Sequence, residues 1–240
     1  MLAVNAEPWF ADWNHAVLEA LFRFLPFTWW HITLAETPTY NPLASTWIFA
    51  AISYLYWRQD DDRTLWRRCR LLETAMACWL AVLATMLVRP WVFWPSPTRV
   101  PSFQALYPRY LGTLGNANCF PSHSTLVYLI VALGFAPLSR RICAGLVAFT
   151  FIAVSFPRIY LGGHYPIDVL VSAILAVVAT VLVRLWCSRP GISRLLEWVV
   201  LRGRVTEILL FLWLFELGEG FRAGLGIVFS LLRAARSLTS

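Results

Sequence analysis

Long apolar runs separated by short breaks that carry arginine make up most of this chain. After a charged stretch at 58–70, an apolar run fills 71–88, close to the roughly 20 residues that cross hydrocarbon. Three more follow at about 124–138, 142–157 and 165–186, separated by Ser139-Arg140-Arg141 and by 158–164. A shorter run opens at Asn41-Pro42-Leu43 and ends at Trp57. Upstream, 9–33 mixes apolar residues with Asp12, His15, Glu19 and Arg23, and Pro26 interrupts it. That pattern suits an amphipathic helix lying in the membrane interface, or a degenerate first span. Downstream, 205–217 is apolar but short and has glutamates around it, while 221–240 carries Arg222, Arg233 and Arg236 on an apolar helical pattern. The pair reads as interfacial or re-entrant. The pattern therefore predicts an all-α, polytopic membrane helix bundle of five or six spans. Residues 1–42 form an interfacial or degenerate first helix and loop, 43–190 the transmembrane core, and 191–240 a membrane-associated helical extension.

Composition agrees with the pattern. Of 240 residues, 59% are hydrophobic and only 14% charged, which sets the chain apart from soluble domains. Thirteen tryptophans fit a protein with two bilayer interfaces. All 20 basic residues are arginine and the net charge is +7. The arginines sit in loops between apolar runs, so they are topology signals and no nucleic-acid partner is expected. The first residues lack the basic start and continuous apolar core of a signal peptide.

The loops alternate in charge. Residues 58–70, 139–141 and 184–204 are dense in arginine and are expected on the cytoplasmic side by the positive-inside rule. Residues 90–121 and 158–164 then share the opposite face, so every chemically interesting residue falls on one side of the membrane. The connection at 91–121 contains Pro95, Pro97, Pro101 and Pro108. It is too long for a bundle turn and reads as a binding loop or lid. In it, Trp91, Phe93 and Trp94 are expected to be interface anchors, and Arg99 and Arg109 to be solvated or to contact headgroups.

Three clusters converge on that face. The richest is Arg158-Ile-Tyr-Leu-Gly162-Gly163-His164-Tyr-Pro166-Ile-Asp168. Ionisable residues beside membrane segments are costly and point to function. Pro166 suits the first turn of a helix, and near that start His164 and Asp168, four apart, share a face. Asp168 can then accept the Nδ1–H of His164 and leave Nε2 bare as a nucleophile or base. Gly162 and Gly163 let a substrate approach the backbone, and Arg158 offers a fork of donors suited to phosphate. The second cluster is Arg89-Pro90. The third is Phe120-Pro121-Ser122-His123-Ser124, where Ser122 is expected to be the N-cap of an apolar helix whose first N–H groups bind an anion. Together these residues describe a phosphate pocket with a nucleophile and an acid. Cys69, Cys78, Cys119, Cys143 and Cys187 are scattered without a CxxC pair. Cys119, the one cysteine placed on the outer side, has no evident disulfide partner there. No Cys/His or carboxylate cluster is visible, so neither a metal nor another cofactor is expected.

In these three motifs the chain resembles the phosphatidic acid phosphatase type 2 superfamily, whose members carry, in order, a lysine followed by Arg-Pro, then Pro-Ser-Gly-His, then Ser-Arg-x5-His-x3-Asp. The third motif matches from Arg158 to Asp168, with Pro157 where serine is usual, and its fuller form looks like the bacterial members. The resemblance covers about 43–187. It implies that His164 is the nucleophile that forms a phosphohistidine, Asp168 its partner and Arg158 a phosphate ligand. The first-motif lysine falls at Val82, and the chain has no lysine. In the second motif, an ungapped alignment puts Ser124 in place of the acid histidine, whereas one deletion puts His123 there. His123 is expected to be the proton donor.

The implied protein is an integral membrane lipid phosphatase of the bacterial inner membrane, with its site facing the periplasm. It would be a phosphoric monoester or diphosphate hydrolase, with undecaprenyl diphosphate the first expected substrate. Its partners are a membrane lipid and the bilayer, with room for an oligomer or larger complex. The expected catalytic residues are His164, Asp168 and His123; Arg89, Ser122 and Arg158 bind phosphate, with Ser124 and Gly163 as further candidates. Two other readings use the same residues: a lipid phosphotransferase, and a catalytically degenerate lipid-binding or structural subunit.

Overall fold

A computed structural model describes residues 11–28, 31–33, 35–36, 42–89, 91–92, 94–107 and 118–219. Among these the chain is all-α. Helices α1 (Ala11–Phe24), α2 (Pro42–Arg58) and α3 (Thr64–Val88) are followed by a 3-10 turn at Pro97–Arg99 and the short α4 (Pro101–Gln104). Next come α5 (His123–Gly134) and α6 (Arg140–Tyr160). The chain continues with α7 (Pro166–Cys187), α8 (Pro190–Leu201) and α9 (Gly203–Glu219). Three helices are long and apolar enough to cross a membrane, namely α3, α6 and α7. The apolar α5, at 12 residues, and α2, at 17, are shorter.

The bundle is organised around α5. Every residue from Leu126 to Ala132 is buried, and α5 packs most extensively on α7 and α3. Its end meets α3 at Gly134, where a Cβ would lie 2.2 Å from Thr74 Oγ1. A residue with no side chain is what lets the two backbones approach. On α2, Phe49 stacks on Tyr128 with ring centroids 4.7 Å apart, and Thr46 hydrogen-bonds the Tyr128 hydroxyl. Helix α7 shows how a membrane helix divides its surface. Val169, Ser172, Ala176, Val183 and Cys187 are buried, while Leu170, Ile174, Val178, Val181, Leu182 and Leu185 are exposed. Its outward face is thus as apolar as its core face, as lipid requires.

At one end of the bundle, arginines are held by near neighbours. Arg67 pairs with Asp61, Arg70 donates to Glu73 at 2.6 Å, and the Arg68 guanidinium lies 5.4 Å from the Trp57 ring. At the other end a second, smaller apolar cluster sits over the mouths of α5 and α7, formed by Ala11, Leu18, Phe103, Tyr107, Cys119, Tyr160, Leu161 and Tyr165. Helix α1 belongs to it, with Asn14 and Leu18 fully buried. The Asn14 side-chain oxygen accepts the Ile167 N–H at 3.3 Å, so α1 caps the first turn of α7 from a distance in sequence. The connection at 94–107 also belongs to this cluster and is a folded cover.

Candidate active site

The polar residues of the site are delivered by two helix starts and the turn between α6 and α7. Pro166 is the first residue of α7, where its missing N–H costs nothing. Tyr165, just before it, is extended, and its N–H donates to Asp168 Oδ2 at 2.9 Å. Upstream, the Arg158 carbonyl accepts from both Gly163 and His164 N–H, at 2.8 and 3.2 Å, closing a tight loop. This brings His164 Nδ1 to 3.5 Å from Asp168 Oδ2. Asp168 is fully buried and His164 is 9% exposed. The separation is long for a hydrogen bond, as is common where a catalytic contact tightens only on substrate binding. Neither His164 Nδ1 nor Asp168 Oδ1 has a hydrogen-bond partner among the described residues.

Gly162 makes the turn possible, for a reason other than the one the sequence suggests. Its φ is +71°, and a Cβ would lie 2.4 Å from Thr98 Cγ2 and 3.0 Å from Tyr107. The space is therefore occupied by the folded connection, and no room is left there for a substrate. Thr98 donates to the Gly162 carbonyl at 3.4 Å, Tyr107 donates to the Ile159 carbonyl at 3.1 Å, and Phe103 meets Tyr165 edge-on at 5.0 Å. At Gly163 the nearest atom to a Cβ would be Arg158 O, at 3.3 Å.

The second cluster enters from α5. Ser122 has the extended backbone of an N-cap, but its side chain makes no capping bond. Its hydroxyl is instead bonded to Thr125 at 2.9 Å, and Thr125 to Ser155 at 2.8 Å. This buried chain of hydroxyls ties the start of α5 to a π-helical stretch of α6, Thr150–Ser155. Single π turns favour functional sites, and this one ends three residues before Arg158, whose Nη1 donates to Val154 O at 3.0 Å. His123 opens α5 and is half-buried, as is Ser124.

Arg89 is exposed at the end of α3, and its Nη2 donates to Asn118 O at 2.7 Å. Asn118 answers through its own amide, donating to the carbonyls of Arg89 at 3.3 Å and Val92 at 2.7 Å. The clamp sets Cys119 beside Asp168. Burial, followed by the charge of Asp168, pushes the Cys119 thiol well above its ordinary pKa, while the nearby Arg89 pulls it the other way.

The structure thereby corrects one expectation drawn from the cysteines. Cys119, His164 and Asp168 are all buried, and each offers a ligand atom within 4.8 Å of the others, so a Cys/His/carboxylate cluster does exist on this face. Spacing gave no sign of it, because the 44 residues between Cys119 and His164 fold back on themselves. The one sequence hint is that Cys119 sits two residues before Pro121-Ser122-His123.

Other residues fall as follows. Val82, where the family's lysine falls, is fully buried in the bundle core. Trp91 is 87% exposed, Trp94 stacks on Phe120 at 5.0 Å, and Arg99 is exposed. Pro90, Phe93 and Arg109 lie outside the described residues, as does 221–240.

A family model described as the PAP2 superfamily matches residues 70–191. The chain belongs to the PAP2 superfamily. The match starts in α3 and ends just after α7, so it encloses Arg89, Cys119, His123, Arg158, His164 and Asp168. Comparison with curated proteins and with solved structures returned no match. Membership of this phosphatase family, joined to the apolar helices, makes the chain a membrane phosphatase in general terms.

Proposed function

We propose that the protein is a lipid phosphatase of the bacterial inner membrane, with its site facing the periplasm, and that it works through a phosphohistidine on His164. The observation that carries this reading is the His164–Asp168 pair. A histidine nitrogen stands 3.5 Å from a fully buried carboxylate at a helix start, inside the region matched by the family. A buried carboxylate facing Nδ1 fixes the tautomer and stabilises the cation that develops when Nε2 attacks. The end of the bundle opposite the arginine-paired loops carries the site, which supports the outward orientation.

In this reading Arg89, Arg158 and the start of α5 at Ser122 hold the phosphate and bind the charge that develops on it. His164 Nε2 attacks phosphorus in line; the P–N bond forms as the P–O bond to the leaving group breaks, and His123 gives its proton to the departing oxygen. Water then attacks the phosphohistidine, returns a proton to His123 and releases inorganic phosphate. Ser124, beside His123, is the alternative donor in the ungapped register. A cleft lined by Leu25, His31, Ala35, Ile152, Phe156, Pro157 and Tyr160 is apolar apart from its histidine, and Phe156 and Pro157 directly precede Arg158 in the chain. It supports a substrate that carries hydrocarbon.

The test is phosphate release by the purified protein in detergent, with undecaprenyl diphosphate, phosphatidylglycerophosphate and phosphatidic acid offered in parallel and soluble phosphate esters as controls. The expected result is release from a lipid, abolished in His164→Ala and strongly reduced in His123→Ala. Release only when a hydroxyl acceptor is added identifies a phosphotransferase. No turnover with or without an acceptor identifies a degenerate, lipid-binding member.

A further inference from the structure

Three polar groups meet at the base of the site in a way that the phosphatase chemistry does not require. The Cys119 thiol, the His164 imidazole and the Asp168 carboxylate are buried, with ligand atoms mutually within 4.8 Å. Two polar atoms of these side chains, His164 Nδ1 and Asp168 Oδ1, lack a hydrogen-bond partner among the described residues. A buried polar atom without a partner is costly, and a buried carboxylate with no cation in contact is more so. Hydrolysis through His164 explains the histidine and the aspartate, but it gives a sulfur no task. One thiol, one imidazole and one carboxylate instead form a mixed S/N/O donor set that suits zinc or a similar borderline-soft cation and disfavours magnesium or calcium.

We propose that Cys119, His164 Nδ1 and Asp168 form a three-ligand site for zinc that switches the nucleophile off. The inference rests on the assignment of His164 as nucleophile only for its consequence; the binding itself rests on the three side chains. On binding, the thiol proton is released to solvent, the imidazole proton moves from Nδ1 to Nε2, and the cation takes their places at Sγ and Nδ1. A neutral imidazole metallated at Nδ1 carries its remaining proton on Nε2, so the lone pair that would attack phosphorus is gone. Asp168, now a metal ligand, no longer orients the ring. Asp168 and the thiolate contribute two negative charges against the divalent cation.

The test uses the full-length protein in detergent, stripped of metal and titrated with cobalt(II), which reports a thiolate ligand by a sulfur-to-metal charge-transfer band in the near ultraviolet. The expected result is one equivalent of cobalt with that band, displaced by zinc, and absent in both Cys119→Ser and Cys119→Ala. Loss of even an outer-sphere partner costs about 10–100-fold in affinity, so loss of the sulfur should weaken zinc by at least about 100-fold. Phosphate release should be inhibited by zinc in the wild type and, in Cys119→Ser, should need at least about 100-fold more zinc for the same fractional inhibition of that variant's own metal-free rate. A band that persists in both Cys119 variants, or no band in monodisperse wild-type protein, overturns the proposal. The band is read without substrate, so a protein that binds cobalt through Cys119 yet hydrolyses no lipid refutes the enzymatic reading and leaves the metal site standing. An active enzyme without the band does the reverse.

Discussion

Two buried carboxylates lie at opposite ends of this bundle, and they are treated differently. Glu73, near the arginine-rich end of α3, is 6% exposed and accepts a 2.6 Å hydrogen bond from Arg70, three residues away on the same helix. Asp168, at the start of α7, is 0% exposed; one oxygen takes the Tyr165 N–H and the other has no hydrogen-bond partner among the described residues. The first arrangement is what stability asks of a buried acid. The second leaves capacity unspent, next to a histidine held 3.5 Å away. Within one fold the acid that anchors is satisfied by its own helix, whereas the acid that works is kept short of partners by a turn, a cover and a distant loop.

The largest effect that sharpens this contrast is expected from Asp168→Asn. The amide keeps the shape and the Tyr165 contact but removes the charge that orients and stabilises the His164 ring. Phosphate release should fall by about 10³–10⁴-fold, the scale seen when an orienting carboxylate is neutralised, while Glu73→Gln leaves kcat and KM close to wild type. Steady-state kinetics on both variants check it, and equal losses would dissolve the distinction.

Gly162→Ala comes next. With φ at +71° and Thr98 2.4 Å from the added carbon, the turn must give or the cover must lift. The expected cost is about 1–3 kcal/mol, read as a lower thermal midpoint with a matching loss of kcat, because the same turn carries His164. Gly134→Ala introduces a comparable clash with Thr74 at the arginine end of α5. A loss of about 1–3 kcal/mol is expected again, but with KM and the pH profile unchanged in the protein that remains folded. The double variant Gly134→Ala/Thr74→Ala should recover part of that loss, since the two sites share one contact.

How much of this was legible in the sequence depended on range. Pro166 begins its helix as its position implies, the apolar runs became helices with arginines at their common end, and the approach of His164 to Asp168 follows from four residues around one helix start. Contacts made across the chain were not legible. Nothing near Gly162 announces that Thr98 and Tyr107 fill its missing side chain, and nothing near Cys119 announces Asp168. Both depend on how the connection at 94–107 folds under aromatic packing with α1. The hydroxyl chain Ser122–Thr125–Ser155 was hidden for the same reason: Ser122 reads as a local cap, whereas its hydroxyl is spent on a neighbour that reaches across to α6.

The smallest effect lies at the arginine end. The Arg67 side chain and the Arg63 N–H hold the Asp61 carboxyl below its ordinary pKa. Its contribution to stability is therefore fully present above the ordinary carboxylate value and is lost as pH falls through the lowered one. Asp61→Asn should slightly lower the thermal midpoint at neutral pH and flatten its decline below about pH 4, without touching activity. A midpoint measured against pH for both proteins would show it, and a variant curve parallel to wild type down to the acid limit would count against the pairing.

The central claim is that His164 takes the phosphoryl group. The direct measurement is to quench the protein rapidly during turnover of a lipid phosphate carrying radiolabelled phosphorus, and to map any acid-labile, base-stable label by peptide. The account predicts label on the peptide containing Arg158 to Asp168, on His164, absent in His164→Ala and, in Asp168→Asn, formed far more slowly. Label on any other residue, or phosphate release that persists in His164→Ala, would contradict it.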